Sequence, residues 1–193
     1  MELDGRRCTG RFIVLNSYEN RVYQLELDDG RYVVAKFYRP GRWSEDAILD
    51  EHEFLLDLEE AEVPVAAPLE LPGDTTLAEV HGIRYALFPR FGGRAPEEMT
   101  DDQLEQLGRL LARVHSVGRQ RSADSRPRME PATWLLQNLD FLLEQGLLPT
   151  VVRDRYAEVV RSIHAELLPH FEGRTFQRIH GDCLLYTSDA ADE

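Results

Sequence analysis

Val33-Val34-Ala35-Lys36-Phe37-Tyr38, followed after Arg39-Pro40-Gly41 by the acidic opening Ser44-Glu45-Asp46, is the stretch on which the fold turns. The first six residues are β-branched or aromatic apart from Ala35 and Lys36, which predicts a strand over Arg31–Tyr38. Residues two apart in a strand share a face, so Lys36 projects with Val34 and Tyr38. Lys36 is the only lysine in the chain, and every other basic residue is arginine. A sequence that uses arginine for general positive charge reserves lysine for a compact, flexible point charge. The plainer alternative is an edge-strand lysine that snorkels to water.

Pro40-Gly41 ends this strand. A helix is predicted from Ser44 to Glu60, with Ser44 as N-cap and Glu45 and Asp46 favourably placed in the first turn. Ile48, Leu55 and Leu58 give it an apolar face. Glu51, about one turn past the start of that stripe, is the chosen partner for Lys36. Glu53 is the rival, and both glutamates could simply solvate the helix. A partly buried, unpaired lysine is costly, which is the reason to expect a partner.

Upstream, strands are predicted at Arg11–Asn16 and Arg21–Leu27, with Asp28-Asp29-Gly30 as a hairpin turn before Arg31. The polar turn Asn16-Ser17-Tyr18-Glu19-Asn20 lacks glycine, yet it can offer backbone N–H groups and the Ser17 hydroxyl to phosphate oxygens. Downstream, Pro64 and Pro68 exclude a helix. Strands are expected at Leu69–Leu71 with Thr76–Val80, and at Ile83–Phe88. Gly92-Gly93 marks a hinge.

Beyond the hinge the pattern becomes helical. Thr100-Asp101-Asp102-Gln103 fits a capping box, and Leu104, Leu107, Leu111 and Val114 repeat down to Gly118. Helices are predicted at Thr133–Gln145 and Val151–Leu168, ended by Gly146 and Pro169. Val152, Tyr156, Val159, Ile163 and Leu167 form the stripe of the second. A strand is expected at Phe176–Ile179, leading into His180-Gly181-Asp182. There the His can brace a loop while the Asp182 carboxylate accepts a hydroxyl proton.

The chain has 193 residues, a formal net charge of −13 and 42% hydrophobic residues. A core is therefore available and disorder is excluded. So acidic a surface repels nucleic-acid backbones. Cys8 and Cys183 have no metal-ligand spacing. No apolar run reaches the ~18 residues of a membrane span, and none resembles a leader, so a cytoplasmic location without membrane contact is expected.

The order of these segments (phosphate turn, lysine strand, helix glutamate, hinge, helices, His-Gly-Asp) resembles the aminoglycoside phosphotransferase and choline kinase group of protein kinase-like folds. Asn16–Gln24, Lys36–Pro40, Glu62–Pro68, Phe88-Pro89 with Gly92-Gly93-Arg94, and Leu107–His115 are similar to the bacterial stress-response kinases of that group. The likeness covers residues 10 to 183. It implies an α+β, bilobal kinase-like fold. Residues 1–89 would form an N-lobe of antiparallel sheet with one helix, 90–96 a hinge, and 97–183 an incomplete helical C-lobe. It also implies a cytoplasmic serine/threonine kinase acting in stress, with ATP and Mg²⁺ as cofactors and a protein hydroxyl as acceptor. Ser17 would match the ATP-contacting turn, Lys36 the phosphate-binding lysine, Glu51 its helix partner, and Asp182 the proton acceptor. A small-molecule kinase acting on a sugar, amino alcohol or antibiotic, and a nucleotide-binding pseudokinase, are the alternative readings.

The family continues past His-Gly-Asp to an Asn and later an Asp that hold Mg²⁺. No Asn follows Asp182, and nothing around Asp189 or Asp192 resembles the metal-binding strand. Residues 184–193 read as foreign to the fold. The expectation is an inactive fragment whose later helices leave apolar surface exposed.

Overall fold

The computed structural model describes residues 2–3, 6–93, 96 and 98–181. Asp182, Cys183, the tail 184–193 and positions 94 and 95 of the expected hinge lie outside the described residues. The fold is α+β, and the described residues fall into two compact units, those up to 125 together with 177–181, and 126–176.

The first unit is built on an antiparallel sheet of β1 (Glu2–Leu3), β2 (Arg6–Leu15), β3 (Arg21–Leu27), β4 (Tyr32–Phe37), β5 (Ala78–Val80) and β6 (Ile83–Pro89), in the order β1-β2-β3-β4-β6-β5. The predicted hairpin joins β3 to β4: Gly30 sits at φ 81° and donates its N–H to the Leu27 carbonyl at 3.0 Å. Strand β2 begins at Arg6, earlier than the expected Arg11. Gly10 at φ 88° lets the register slip between the Cys8–Leu27 and Phe12–Leu25 pairs, so the chain stays in the sheet through a bulge.

Strand β4 is central, with Lys36 opposite Val22 on β3 and Ala86 on β6. One face of the sheet buries Leu27, Val33, Ala35 and Leu87 beneath Leu71. The other face buries Tyr38, Ala86 and Phe88 against Ile48 of helix α1 (Glu45–Glu60). Ser44 caps α1 as the sequence predicts, accepting the Ala47 N–H at 3.1 Å. Helix α2 (Asp101–Gly118) opens with the predicted capping box at Thr100 and Gln103. Val114 and Val117 of α2 pack on Leu58 and Val63.

Two expected strands do not form. Leu69–Leu71 makes only a bond from the Leu69 N–H to the Leu87 carbonyl and a single bridge between Leu71 and Thr75. Pro68 and Pro72 flank it, and neither can donate to a ladder. Phe176–Ile179 forms no regular secondary structure, and is attached to α2 through the Arg178 N–H and the Gly118 carbonyl.

The second unit holds a π-helical turn (Ala132–Leu136), α3 (Gln137–Glu144) and α4 (Thr150–Phe171). One continuous helix from Thr133 was expected, but the first turn is widened, with the Gln137 N–H bonded to the Ala132 carbonyl. Pro169 does not end α4; it lies inside the last turn, where the Arg174 side chain caps the His170 carbonyl at 3.2 Å. Ala157 and Val160 of α4 bury against Leu139. The predicted stripe, Val152 to Leu167, remains 39–45% exposed, as expected for apolar positions lacking a partner.

Candidate active site

Lys36 and Glu51 meet. The Lys36 Nζ lies 2.8 Å from Glu51 Oε1, with both side chains about three-quarters buried. The rival Glu53 turns away and binds Arg121 at 2.8 Å. The lysine ammonium also sits 4.8 Å from the Tyr38 ring centroid and 6.0 Å from that of Phe88. Two aromatic faces and one carboxylate fix its position, while its remaining N–H groups are available to an anion such as a phosphate.

A further layer lies beneath the lysine, and sequence reading did not identify it. His52 is fully buried, with Nε2 2.8 Å from the Tyr38 hydroxyl and Nδ1 2.7 Å from Thr76 Oγ1. A neutral imidazole satisfies both contacts in either tautomer, one ring nitrogen donating and the other accepting. Burial pushes His52 from its ordinary 6.5 down to about 4; Glu51 opposes that shift and Lys36 reinforces it. The parity that aligned Tyr38 with Lys36 was readable. His52 next to Glu51 gave no signal, because a histidine in an acidic helix normally faces water.

This histidine carries a pH prediction. Between about pH 6.5 and 4 the unfolded chain binds a proton at His52 that the folded chain refuses. Stability is therefore highest above pH 6.5 and falls as pH drops towards 4, by on the order of 3 kcal/mol from this group. Urea unfolding across pH 4.5 to 7 should be steeper in pH for the parent than for His52→Asn. Equal slopes would remove His52 as the cause.

Ser17 lies in the exposed β2–β3 turn, where its hydroxyl accepts the Asn20 N–H at 3.3 Å. The turn is tied to the loop after β4: Asn20 Oδ1 accepts from the Arg39 N–H at 3.4 Å, and Glu19 accepts from Arg42 at 3.1 Å. Since Arg21 pairs with Phe37, this turn and Lys36 lie at the same end of the sheet. Asp182 lies outside the described residues; its neighbours His180 and Gly181 are exposed, with Gly181 at φ 79°.

A lysine on a central antiparallel strand, paired with the carboxylate of the following helix, belongs to the class of kinase-like phosphotransferases. The sequence model of the APH phosphotransferase enzyme family matches residues 12–185, and the chain belongs to that family. It is 40% identical over 180 residues to stress response kinase A of Escherichia coli, covering 93% of this chain and 55% of that protein. It is 42% identical over 170 residues to the serine/threonine protein kinase RdoA of Salmonella typhimurium, covering 88% of this chain and 52% of the relative. The chain thus spans about half the length of the curated relatives it matches.

Among solved structures, an amicoumacin kinase in complex with AMP-PNP and Ca²⁺ superposes with a TM-score of 0.60 at 19% identity, over 81% of this chain and 49% of that one. A putative fructosamine-3-kinase of Thermobifida fusca gives 0.54 at 21% identity, over 93% and 64%. These likenesses establish the fold.

Kinases of this family use ATP. Among the described residues no cluster of three or more His, Cys, Asp or Glu could hold a metal ion. No helix among them is long and apolar enough to cross a membrane.

Proposed function

We propose that the sequence encodes the nucleotide-binding part of an ATP-dependent serine/threonine protein kinase. Lys36 binds the ATP phosphates, Glu51 holds the lysine, the Ser17 turn covers the phosphates, and Asp182 accepts the proton of the acceptor hydroxyl. The 2.8 Å ion pair between Lys36 and Glu51 carries this reading. Likeness to stress response kinase A and RdoA supports a protein acceptor over a sugar or amino alcohol.

Mg²⁺ would neutralise charge on the transferring phosphate, and much of phosphoryl-transfer catalysis is such electrostatic stabilisation. No Asn follows Asp182 to hold the ion. The purified 193-residue chain is therefore expected to bind ATP in titration calorimetry while transferring no measurable phosphate to a Ser/Thr-rich protein. Failure to bind ATP overturns the nucleotide reading. Mg²⁺-dependent transfer that Asp182→Asn abolishes would overturn the inactivity. Preferential labelling of small hydroxyl compounds would shift the acceptor to the small-molecule class.

A further inference from the structure

We propose that Arg178 is a positioning residue: it fixes the His180-Gly181 segment against helix α1, and so ties that segment to the Lys36–Glu51 pair. This inference rests on the phosphotransferase reading above.

The Arg178 side chain is only 3% exposed and contacts both α1 and α2. Its Nη2 lies 2.7 Å from Asp57 Oδ2, with a longer 3.5 Å contact to the Val117 carbonyl. The guanidinium carbon sits 4.6 Å from the Phe54 ring centroid. Nε and Nη1 are buried without a hydrogen-bond partner. A buried ion pair contributes little net stability over apolar residues of similar size, and unsatisfied N–H groups subtract from even that. Stability alone does not account for an arginine here.

The arrangement supplies a fixed position instead. The Arg178 N–H donates to the Gly118 carbonyl at 3.2 Å. Close approach is possible because Gly118 has no side chain: an added Cβ would stand 2.1 Å from the Arg178 carbonyl oxygen. Phe54 and Asp57 lie about one and two turns beyond Glu51 on α1.

Helical spacing also puts Asp50, Glu53 and Asp57 on one face of α1. Each is engaged by the chain that follows α2: Asp50 accepts the Ser125 N–H at 2.8 Å, Glu53 takes Arg121, and Asp57 takes Arg178. Glu51 lies on a different face and meets Lys36. Helix α1 is thus a bar, gripped by Lys36 at one contact and by Arg178 at another. The gripping arginine stands two residues before His180.

Hydrogen exchange on the 193-residue chain tests this. The variants are Arg178→Met with Asp57→Leu, which replaces the pair by apolar side chains, and the single changes Arg178→Lys and Asp57→Asn. The double variant should unfold within about 5 °C of the parent, because neutral replacement of a buried pair is tolerated. Its amides at 178–181 should nevertheless lose at least ~10-fold in protection, while β3 and β4 stay unchanged. Arg178→Lys should restore part of that protection, since lysine can still reach Asp57. Saturating MgATP should slow exchange at 178–181 in the parent and not in the double variant.

Unchanged protection at 178–181 in the double variant overturns the proposal. So does a uniform loss across the sheet, which would mark a purely structural arginine, and so does a parent whose 178–181 amides ignore bound ATP. If the double variant fails to fold, Asp57→Asn is judged by the same criteria. If the parent binds no ATP at all, the phosphotransferase reading has failed, and the nucleotide-free comparison decides the role of Arg178.

Discussion

Lys36→Met should weaken ATP binding by the 193-residue chain by about 30- to 100-fold, measured by titration calorimetry. A charge-assisted hydrogen bond contributes roughly 1.5–3 kcal/mol, equivalent to about 10- to 150-fold in affinity. The upper part of that range is expected because the substitution also removes the ammonium that faces Glu51 at 2.8 Å. With the lysine charge gone, the Glu51 carboxylate adds repulsion towards a polyphosphate, in a chain whose net charge is already −13. The pairing makes the prediction sharper. Glu51→Gln alone should lose only a few-fold, since the lysine retains the Tyr38 and Phe88 faces. Adding Glu51→Gln to Lys36→Met should recover about 3- to 10-fold as the repulsion is relieved. Binding by Lys36→Met within twofold of the parent would remove the lysine from the phosphate site.

The contact between strand and helix was readable because three local rules agreed. The lysine is unique, its strand parity is unambiguous, and the Ser44 cap with its acidic first turn sets where α1 begins, which fixes the face on which Glu51 lies. Choosing Glu51 over Glu53 depended on helical phase alone, and the structure adds the reason: Glu53 is taken by Arg121, a residue far away in sequence. Long-range partnerships of that kind leave no periodic trace. The same limit hid His52 and Arg178, whose burial comes from Tyr38, Thr76, Phe54 and Asp57 converging from separate elements. The failed strands have the opposite cause. Leu69–Leu71 and Phe176–Ile179 carry strand-like residues, but a strand also needs a partner edge, and sequence composition does not supply one. The exposed stripe of α4 shows that helical periodicity is a property of the segment, whereas its burial depends on what packs against it.

Helix α2 contains two glycines that should respond to the same substitution with opposite signs. Gly108 is an exposed interior position where an added Cβ meets nothing within 4 Å. Gly108→Ala should therefore stabilise the chain by about 0.5–1 kcal/mol, the difference in helix propensity and backbone entropy. At Gly118 the same methyl would stand 2.1 Å from the Arg178 carbonyl oxygen and 3.1 Å from its carbonyl carbon. Both are backbone atoms, so no rotamer change can make room. Either α2 or the 177–181 segment must move, which stretches the Arg178 N–H bond to the Gly118 carbonyl and shifts the guanidinium off Phe54 and Asp57. Overpacking of this kind ordinarily costs about 1–3 kcal/mol, and moving a buried ion pair adds to it, so a loss on the order of 3 kcal/mol or more is expected for Gly118→Ala. Urea unfolding of the two variants side by side separates tertiary contact from propensity. Matching shifts in the same direction would mean that the close approach of Arg178 to α2 does not exist in solution.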